Sequence, residues 1–453
     1  MFTIAVFLIV LGVLVFVHEL GHFIAAKAVG IGVPRFSIGF GPPTPLQFRR
    51  GETEYIVAWI PLGGYVKMAS KEELEEMSKL EGGETLEEWP EDKLFENKPL
   101  WARMMVISAG VTMNVIFAFF AYAGIAAIVG RAEDPTTHIA LVEPAGLPGA
   151  ADALLAVPED VQVIRLNGDT VRSWTVLREI LLDRTSDRLR FEFAGGVGPV
   201  TVAIPGTDME SRLAIYDALR PAWPNRIGVT QPGMPAADGG IEAGDEIIAI
   251  DGQPVRHWED LKRMVSRSAG VELGLQVRRG DSVFAARVTP EERTIPDLLT
   301  GEDRTEGWIG IGADIDIIRI EYGPIEALGE GAANTWRDVV DVFVTIKGMF
   351  VGTVSTGELG GPILIAQVSG SVAALGIAPL LAFMALLSVN LAVLNMLPIP
   401  VLDGGHLVFL VLEGIRGKPL SLAWRMRLTQ AGMLVLLAIF VLVFRNDIMR
   451  LIG

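Results

Sequence analysis

Between Phe2 and Val17 no side chain is ionisable, and the next five residues are His18-Glu-Leu-Gly-His22. With the residues that follow to Ala26, this run is long and apolar enough to cross a bilayer as a helix. On a helix, histidines at i and i+4 share one face, so both imidazoles can bind one Zn²⁺ while Glu19 handles the proton of a bound water. The motif points to zinc-dependent hydrolysis, and its setting puts that chemistry in a membrane. Two histidines and a glutamate in hydrocarbon without a task would be costly.

Half of the 453 residues are apolar. A chain of this length with positive mean hydropathy fits membrane spans joined to soluble domains. There are 38 Lys and Arg against 54 Asp and Glu, a net charge of −16 with no basic run, which leaves nucleic-acid binding without an electrostatic basis. Half of that charge lies between Lys71 and Glu96, where eleven acidic residues face three lysines in what reads as a solvated loop or helix. No cysteine is present, so disulfides and thiolate metal ligands are excluded and any zinc must use imidazole and carboxylate.

Four stretches are apolar enough to span: about Phe2–Ala26, Met104–Val129, Ala373–Leu397 and Leu428–Phe444. The two central ones carry isolated polar residues, notably Asn114, Asn390 and Asn395. No Lys or Arg precedes the first span, whereas Lys27, Arg35, Arg49 and Arg50 follow it. The positive-inside rule then puts both termini outside, and places the Arg416, Lys418, Arg425, Arg427 cluster in the cytoplasm. The region between spans two and three is expected to be extracytoplasmic.

That region contains a repeat. Val161–Leu177 aligns without gaps to Asp245–Leu261, 84 residues further on, with identities at Ile164/248, Gly168/252, Val171/255, Arg172/256, Trp174/258 and Leu177/261. Each copy reads as a strand, an Asn-Gly or Asp-Gly turn, a short strand and a helix. The second copy, with Gly240-Ile-Glu-Ala-Gly-Asp245, resembles a PDZ domain, a fold that takes an extended peptide beside a sheet edge. The first has Leu155-Ala-Val-Pro-Glu-Asp160 in place of that glycine turn. The alternative for both copies is a spacer that binds no peptide.

Two histidines leave zinc short of a ligand. A soluble metzincin would place a third histidine at position 28, which is alanine. Asn395-Met-Leu-Pro-Ile-Pro-Val-Leu-Asp-Gly-Gly405 supplies another candidate: Pro398 and Pro400 cannot continue span three as a helix, and Gly404-Gly405 permits tight turns that would aim Asp403 inward. A His18, His22, Asp403 site with a fourth position for water would be complete.

Taken together, HELGH, Ile60-Pro-Leu-Gly-Gly-Tyr-Val-Lys-Met68, Lys98-Pro-Leu-Trp-Ala-Arg103, Tyr322-Gly-Pro-Ile-Glu-Ala327, Ser388-Val-Asn-Leu391 and the NxxPxPxLDGG run resemble the site-2 protease family of intramembrane zinc metalloproteases, in its bacterial RseP/RasP-like group with tandem PDZ domains. The resemblance implies metal-ligand roles for His18, His22 and Asp403 and a general-base role for Glu19. One departure is Val111 in Ala109-Gly-Val-Thr-Met-Asn114, where the family often has proline. The implied fold is a multi-pass α-helical membrane protein with four spans, a membrane-associated β region and two extracytoplasmic α/β PDZ-like domains. Its expected divisions are 1–131 for the first membrane part, 132–220 and 221–291 for the PDZ-like domains, 292–372 for a linker and 373–453 for the second membrane part.

The resemblance implies cleavage of transmembrane substrates such as trimmed anti-sigma factors or remnant signal peptides, in the bacterial inner membrane. A substrate helix must unwind before its carbonyls reach a metal. Glu54–Lys67 reads as strand and turn, and an exposed edge there could accept the unwound backbone by strand addition. Asn390 and Asn395 could hold other freed amides, or else bond the protein's own helices. Gly323–Gly352 reads as an amphipathic helix at the outer interface. The competing functions are a catalytically idle PDZ-bearing scaffold, for which Glu19 would have no use, and a zinc transporter, for which His406 is the only further histidine in the membrane region.

Overall fold

The computed structural model describes residues 2–70, 89–296, 303–352 and 360–452, so most of the acidic run from Lys71 lies outside the described residues. Helix α1 (Phe2–Ala28) carries HELGH near its C-terminal end and stops at Gly30, which takes the left-handed φ of 72°. Strands β1 (Arg35–Arg50) and β2 (Thr53–Lys67) form an antiparallel sheet in which both fold back. Arg35–Ile38 therefore lies between Gly64–Lys67 on one side and Glu54–Val57 on the other, and Gly64–Lys67 is an edge among the described residues. Helix α2 (Leu100–Val129) starts behind Pro99, runs unbroken through Val111 and ends at Gly130.

Residues Arg131–Ile320 form one compact unit, and the residues on either side form the other. In chain order the unit contains β3 (Arg131–Glu133), β4 (His138–Val142), β5 (Val161–Leu166), β6 (Asp169–Thr170), α3 (Trp174–Leu181), β7 (Arg188–Phe193), β8 (Val200–Ala203), α4 (Met209–Ala218) and β9 (Leu219–Pro221). The second copy follows with β10 (Ile227–Thr230), β11 (Glu246–Ile250), β12 (Gln253–Pro254), α5 (Trp258–Ser266), β13 (Leu273–Arg279) and β14 (Ser282–Val288). After it come β15 (Glu291–Pro296), β16 (Asp303–Trp308), β17 (Ile311–Ala313) and β18 (Ile318–Ile320). The first copy's sheet has the order β8-β7-β5-β4-β9 with β6 on β5; the second has β12-β11-β13-β14 with a separate β10-β17 pair. The remaining pairs are β15-β16 and β18-β3.

The repeat persists in atomic detail. Asn167 and Asp251 both take positive φ before a positive-φ glycine, as a tight hairpin turn requires. Their side-chain oxygens accept equivalent bonds, Arg190 N–H to Asn167 and Gly274 N–H to Asp251, each at 2.8 Å. Val171, Trp174 and Leu177 lie in one core, and Val255, Trp258 and Leu261 occupy the same places in the other. Asp160 takes a φ of 56° where the second copy uses Gly244, so the turn survives loss of its glycine at some steric cost. The copies differ at α4, which precedes β9 and sets Tyr216 against Trp174 of α3 at a ring separation of 6.2 Å. Arg212 locks α4 in place: it is fully buried, and its guanidinium donates to the carbonyls of Leu181, Asp183, Ser186, Ile204 and Pro205.

The chain then forms α6 (Pro324–Val351), α7 (Pro362–Leu375), α8 (Ile377–Met396), α9 (Asp403–Arg416) and α10 (Leu422–Ile452). Four helices are long and apolar enough to cross a membrane: Phe2–Ala28, Leu100–Val129, Ile377–Met396 and Leu422–Met449. The third starts at Ile377 rather than near Ala373 because Gly376, at φ 124°, breaks it from α7. The fourth is longer than its apolar centre suggests, since its charged flanks continue the helix. Helix α6 does more than rest on a surface. Val339, Val342 and Ile346 pack with Ala118 of α2 and Ala385 and Val389 of α8, while Tyr122 donates to Asp338 at 2.6 Å. In α10, Asp447 is buried and accepts from the backbone N–H groups of Gly361 and Ile363 at 2.9 Å, satisfying donors that the start of α7 would otherwise leave unpaired.

Candidate metal centre

Two close approaches set the position of the HELGH face. A Cβ on Gly21 would lie 2.3 Å from the Ala109 carbonyl oxygen, and one on Gly110 would lie 2.4 Å from His22 Nε2 and 2.7 Å from His18 Cε1. Glycine at both positions lets α1 and α2 meet backbone to backbone, as small residues do between membrane helices. The imidazoles then lie directly over the Gly110 backbone. His22 Nδ1 donates to the Val106 carbonyl at 2.8 Å, so Nε2 carries the lone pair.

Asp403 comes from the far end of the chain. Helix α8 ends at Met396, Pro398 and Pro400 carry the loop, and Asp403 opens α9. Gly404 and Gly405 are helical here and do not make the tight turns expected of them. Their function is closeness: a Cβ on either would lie 2.2 Å from a backbone oxygen, of Met396 and Ile399 respectively. The other end of α9 is fixed by Arg103 of α2, whose guanidinium spans the Glu413 carboxylate at 2.6 and 3.2 Å.

His18 Nε2 and His22 Nε2 are 3.3 Å apart, and Asp403 Oδ2 lies 3.2 Å from the first and 3.4 Å from the second. A tetrahedral zinc with ligand distances of about 2.0–2.1 Å has ligand-to-ligand edges of about 3.3–3.4 Å. The three atoms thus outline one face of such a tetrahedron. The donor chemistry fits as well: Asp403 Oδ2 is buried without a hydrogen-bond partner although two ring nitrogens face it. Three lone pairs converging in a buried pocket repel one another unless a cation sits among them.

Residues 6–439 match Peptidase family M50. The chain belongs to this family. The regulator of sigma-E protease RseP of Escherichia coli (strain K12) is 32% identical over 478 residues, covering 100% of this chain and 99% of that protein. A provisionally named zinc metalloprotease of Rhizobium meliloti (strain 1021) is 30% identical over 455 residues, covering 100% and 98%. Among solved structures, the PDZ domain of an SdrC-like protein from Listeria monocytogenes aligns with a TM-score of 0.16 and 25% identity, covering 19% of this chain and 84% of that one. As an M50 member the chain is a zinc metalloprotease of the site-2 type, a multi-pass membrane protein in which His18, His22 and Asp403 can form the metal site.

The remaining candidates divide. Glu19 is half-buried beside His22, His18 and Asp403, and accepts a hydrogen bond from the backbone N–H of Val66. Gly64, on the same edge strand, approaches Val15 and the Glu19 Cγ. Asn390 donates to the Leu386 carbonyl of its own helix at 2.8 Å. Asn395 is half-buried in the last turn of α8. Two residues of α2 that sequence reasoning gave no role are part of the site. Gly110 forms its floor, and Asn114, fully buried, has its side-chain nitrogen 3.2 Å from His18 Nδ1. The available signal was an isolated asparagine one helical turn after a glycine, in a span paired with HELGH.

Proposed function

We propose that the chain is an intramembrane endopeptidase in which His18, His22 and Asp403 hold Zn²⁺ and Glu19 is the general base. The single observation that carries this is the triangle of metal-binding atoms with Glu19 beside it, on helices apolar enough to span a membrane. Bound zinc supplies Lewis acidity, polarising the scissile carbonyl and lowering the pKa of water toward about 7. Glu19 takes the proton of the attacking water on its carboxylate and returns it to the leaving nitrogen, a role worth roughly 10²–10⁴ in rate. The Val66 N–H holds Glu19 in place meanwhile.

The substrate is a transmembrane segment that must give up helical hydrogen bonds before its carbonyl is accessible. The Gly64–Lys67 edge is suited to receive it, since it lies at the margin of the described sheet and its neighbour is Glu19. Asn390 and Asn395 take further freed amides of the substrate. The printed name of the Escherichia coli relative favours substrates in sigma-factor control, such as trimmed anti-sigma factors, with remnant signal peptides as the other class. The charge pattern orients the chain in the bacterial inner membrane with Lys27 and the 416–427 basic cluster in the cytoplasm and the repeats outside. The two repeats are PDZ-like domains at 132–220 and 221–291 that act as an extracytoplasmic filter. The glycine turn at Gly240–Asp245, which Leu155–Asp160 replaces in the first copy, favours the second copy as the peptide acceptor.

Metal analysis of the purified chain, its Asp403→Ala variant and its Glu19→Gln variant tests the reading. One zinc per chain is expected in the parent and in Glu19→Gln, with cleavage abolished in the latter and zinc lost in Asp403→Ala. Full zinc occupancy in Asp403→Ala, or near-normal turnover in Glu19→Gln, would overturn it.

A further inference from the structure

We propose that Asn114 is a positioning residue for zinc: its side-chain carbonyl accepts the Nδ1 proton of His18 and so directs the His18 Nε2 lone pair to the metal. The inference rests on the metal site proposed above and adds to it a fourth residue, from a helix that supplies no ligand.

A neutral imidazole carries one proton, so a ring that offers Nε2 to a metal must hold that proton on Nδ1. For His22 the assignment is forced, because the partner of its Nδ1 is the Val106 carbonyl, which can only accept. His18 faces an amide, whose nitrogen and oxygen are assigned from their surroundings. As placed, the Asn114 nitrogen is 3.2 Å from His18 Nδ1, and its Oδ1 is buried with no partner. That orientation requires a bare Nδ1, which puts the proton on Nε2, into the triangle and against Asp403. With Nε2 turned to a metal, Nδ1–H would instead meet an N–H₂ group, donor against donor. Exchanging the amide ends removes the conflict and gives the idle acceptor its proton.

The site is built to hold Asn114 in this position. The residue is fully buried, and its backbone carbonyl accepts from Ser388 Oγ of α8 at 2.9 Å. Through it α8 is tied to α2 and α2 to the HELGH helix, four residues beyond the Gly110 floor. Asn114 stands in the place where metal-binding histidines commonly find a carboxylate or carbonyl that fixes their tautomer.

The test uses the purified full-length chain in detergent and measures zinc affinity by competition with a chromophoric chelator. Asn114→Leu keeps the branched shape, with added bulk, and removes the acceptor; Asn114→Asp keeps an acceptor and removes the donor. The expected result is a 10–100-fold loss of affinity in Asn114→Leu and affinity within a few-fold of the parent in Asn114→Asp. Equal loss in both variants would overturn the proposal, because the amide would then be needed as a donor, and unchanged affinity in Asn114→Leu would show that it has no such role. Should Asn114→Leu fail to fold, ¹⁵N-histidine spectra of the zinc-loaded parent decide the matter: an Nδ1 proton on His18 is expected, and its absence refutes the inference. His18→Ala separates this from failure of the site itself, since unchanged zinc affinity there would remove His18 from the metal and the inference with it.

Discussion

Gly110→Ala is a one-methyl change whose effect can be worked from distances. The added Cβ would lie 2.4 Å from His22 Nε2 and 2.9 Å from His18 Nε2, whereas ordinary contact begins at 3.4 Å, so the His22 ring must retreat by 1.0 Å. The backbone cannot yield that much, because one residue earlier the Ala109 carbonyl already meets Gly21 at a distance that admits no side chain. A metal site tolerates ligand displacements of about 0.2 Å. The required shift is about five times larger, so zinc affinity should fall at least 10–100-fold, and cleavage of a transmembrane reporter by roughly 10² or more. Both are measured on detergent-purified protein, by chelator competition and by product formation, with Gly124→Ala as the control. Position 124 is on the same helix with nothing within 4 Å of a new Cβ, so neither quantity should change there. Gly110→Ala binding zinc within threefold of the parent, or Gly124→Ala doing equal harm, would refute the reasoning.

Asp245 is buried and held by Arg279 at 2.7 and 2.8 Å, and this hydrogen-bonded partner keeps its carboxyl below the usual carboxylate range. A depressed folded value stabilises above the unfolded one and is lost as pH falls through the folded value, so Asp245→Asn should cost about 1–2 kcal/mol near neutrality and progressively less in acid; a melting difference independent of pH would contradict this. Tyr122→Phe leaves the Asp338 carboxyl without its 2.6 Å donor and should destabilise the chain by about 1–3 kcal/mol. Pairing it with Asp338→Asn should give a non-additive cycle, and strict additivity would deny the coupling. Deleting residues 132–289 should relax discrimination between a full-length and a pre-trimmed substrate, as read by relative cleavage rates; an unchanged preference would place size selection within the membrane part.

Much of the fold follows from patterns with a fixed period. Spans show as length and apolarity, and the repeat shows because Val171/255, Trp174/258 and Leu177/261 are core positions in both copies while Asn167 and Asp251 each need a left-handed turn. The repeat's one irregular turn was also traceable, since Asp is among the few residues that tolerate the φ of 56° seen at Asp160. Packing between distant helices was not readable in this way. The polar residues of α6 suggest an interfacial helix. Its placement against α2 and α8 depends on Ala118 and Gly331 being small and on the single Tyr122–Asp338 bond, none of which has a periodic signature.

The site divides along the same line. His18 and His22 are legible because four residues make one helical turn, and Asp403 because prolines at 398 and 400 interrupt a span for some purpose. Neither pattern shows what holds the ligands at tetrahedral spacing. That depends on absences: no Cβ at Gly110 beneath the imidazoles, none at Gly21 against Ala109, and none at Gly404 and Gly405 where α9 folds back on the end of α8. In a membrane segment glycine is common and by itself ambiguous. What makes these four informative is that each faces a backbone or a ligand at a distance closed to every other residue, and such pairings appear only when helices distant in sequence are brought together. The 3.2–3.4 Å triangle is accordingly a property of three helices, α1, α2 and α9, and a substitution that thickens any contact among them should weaken metal binding without touching a ligand.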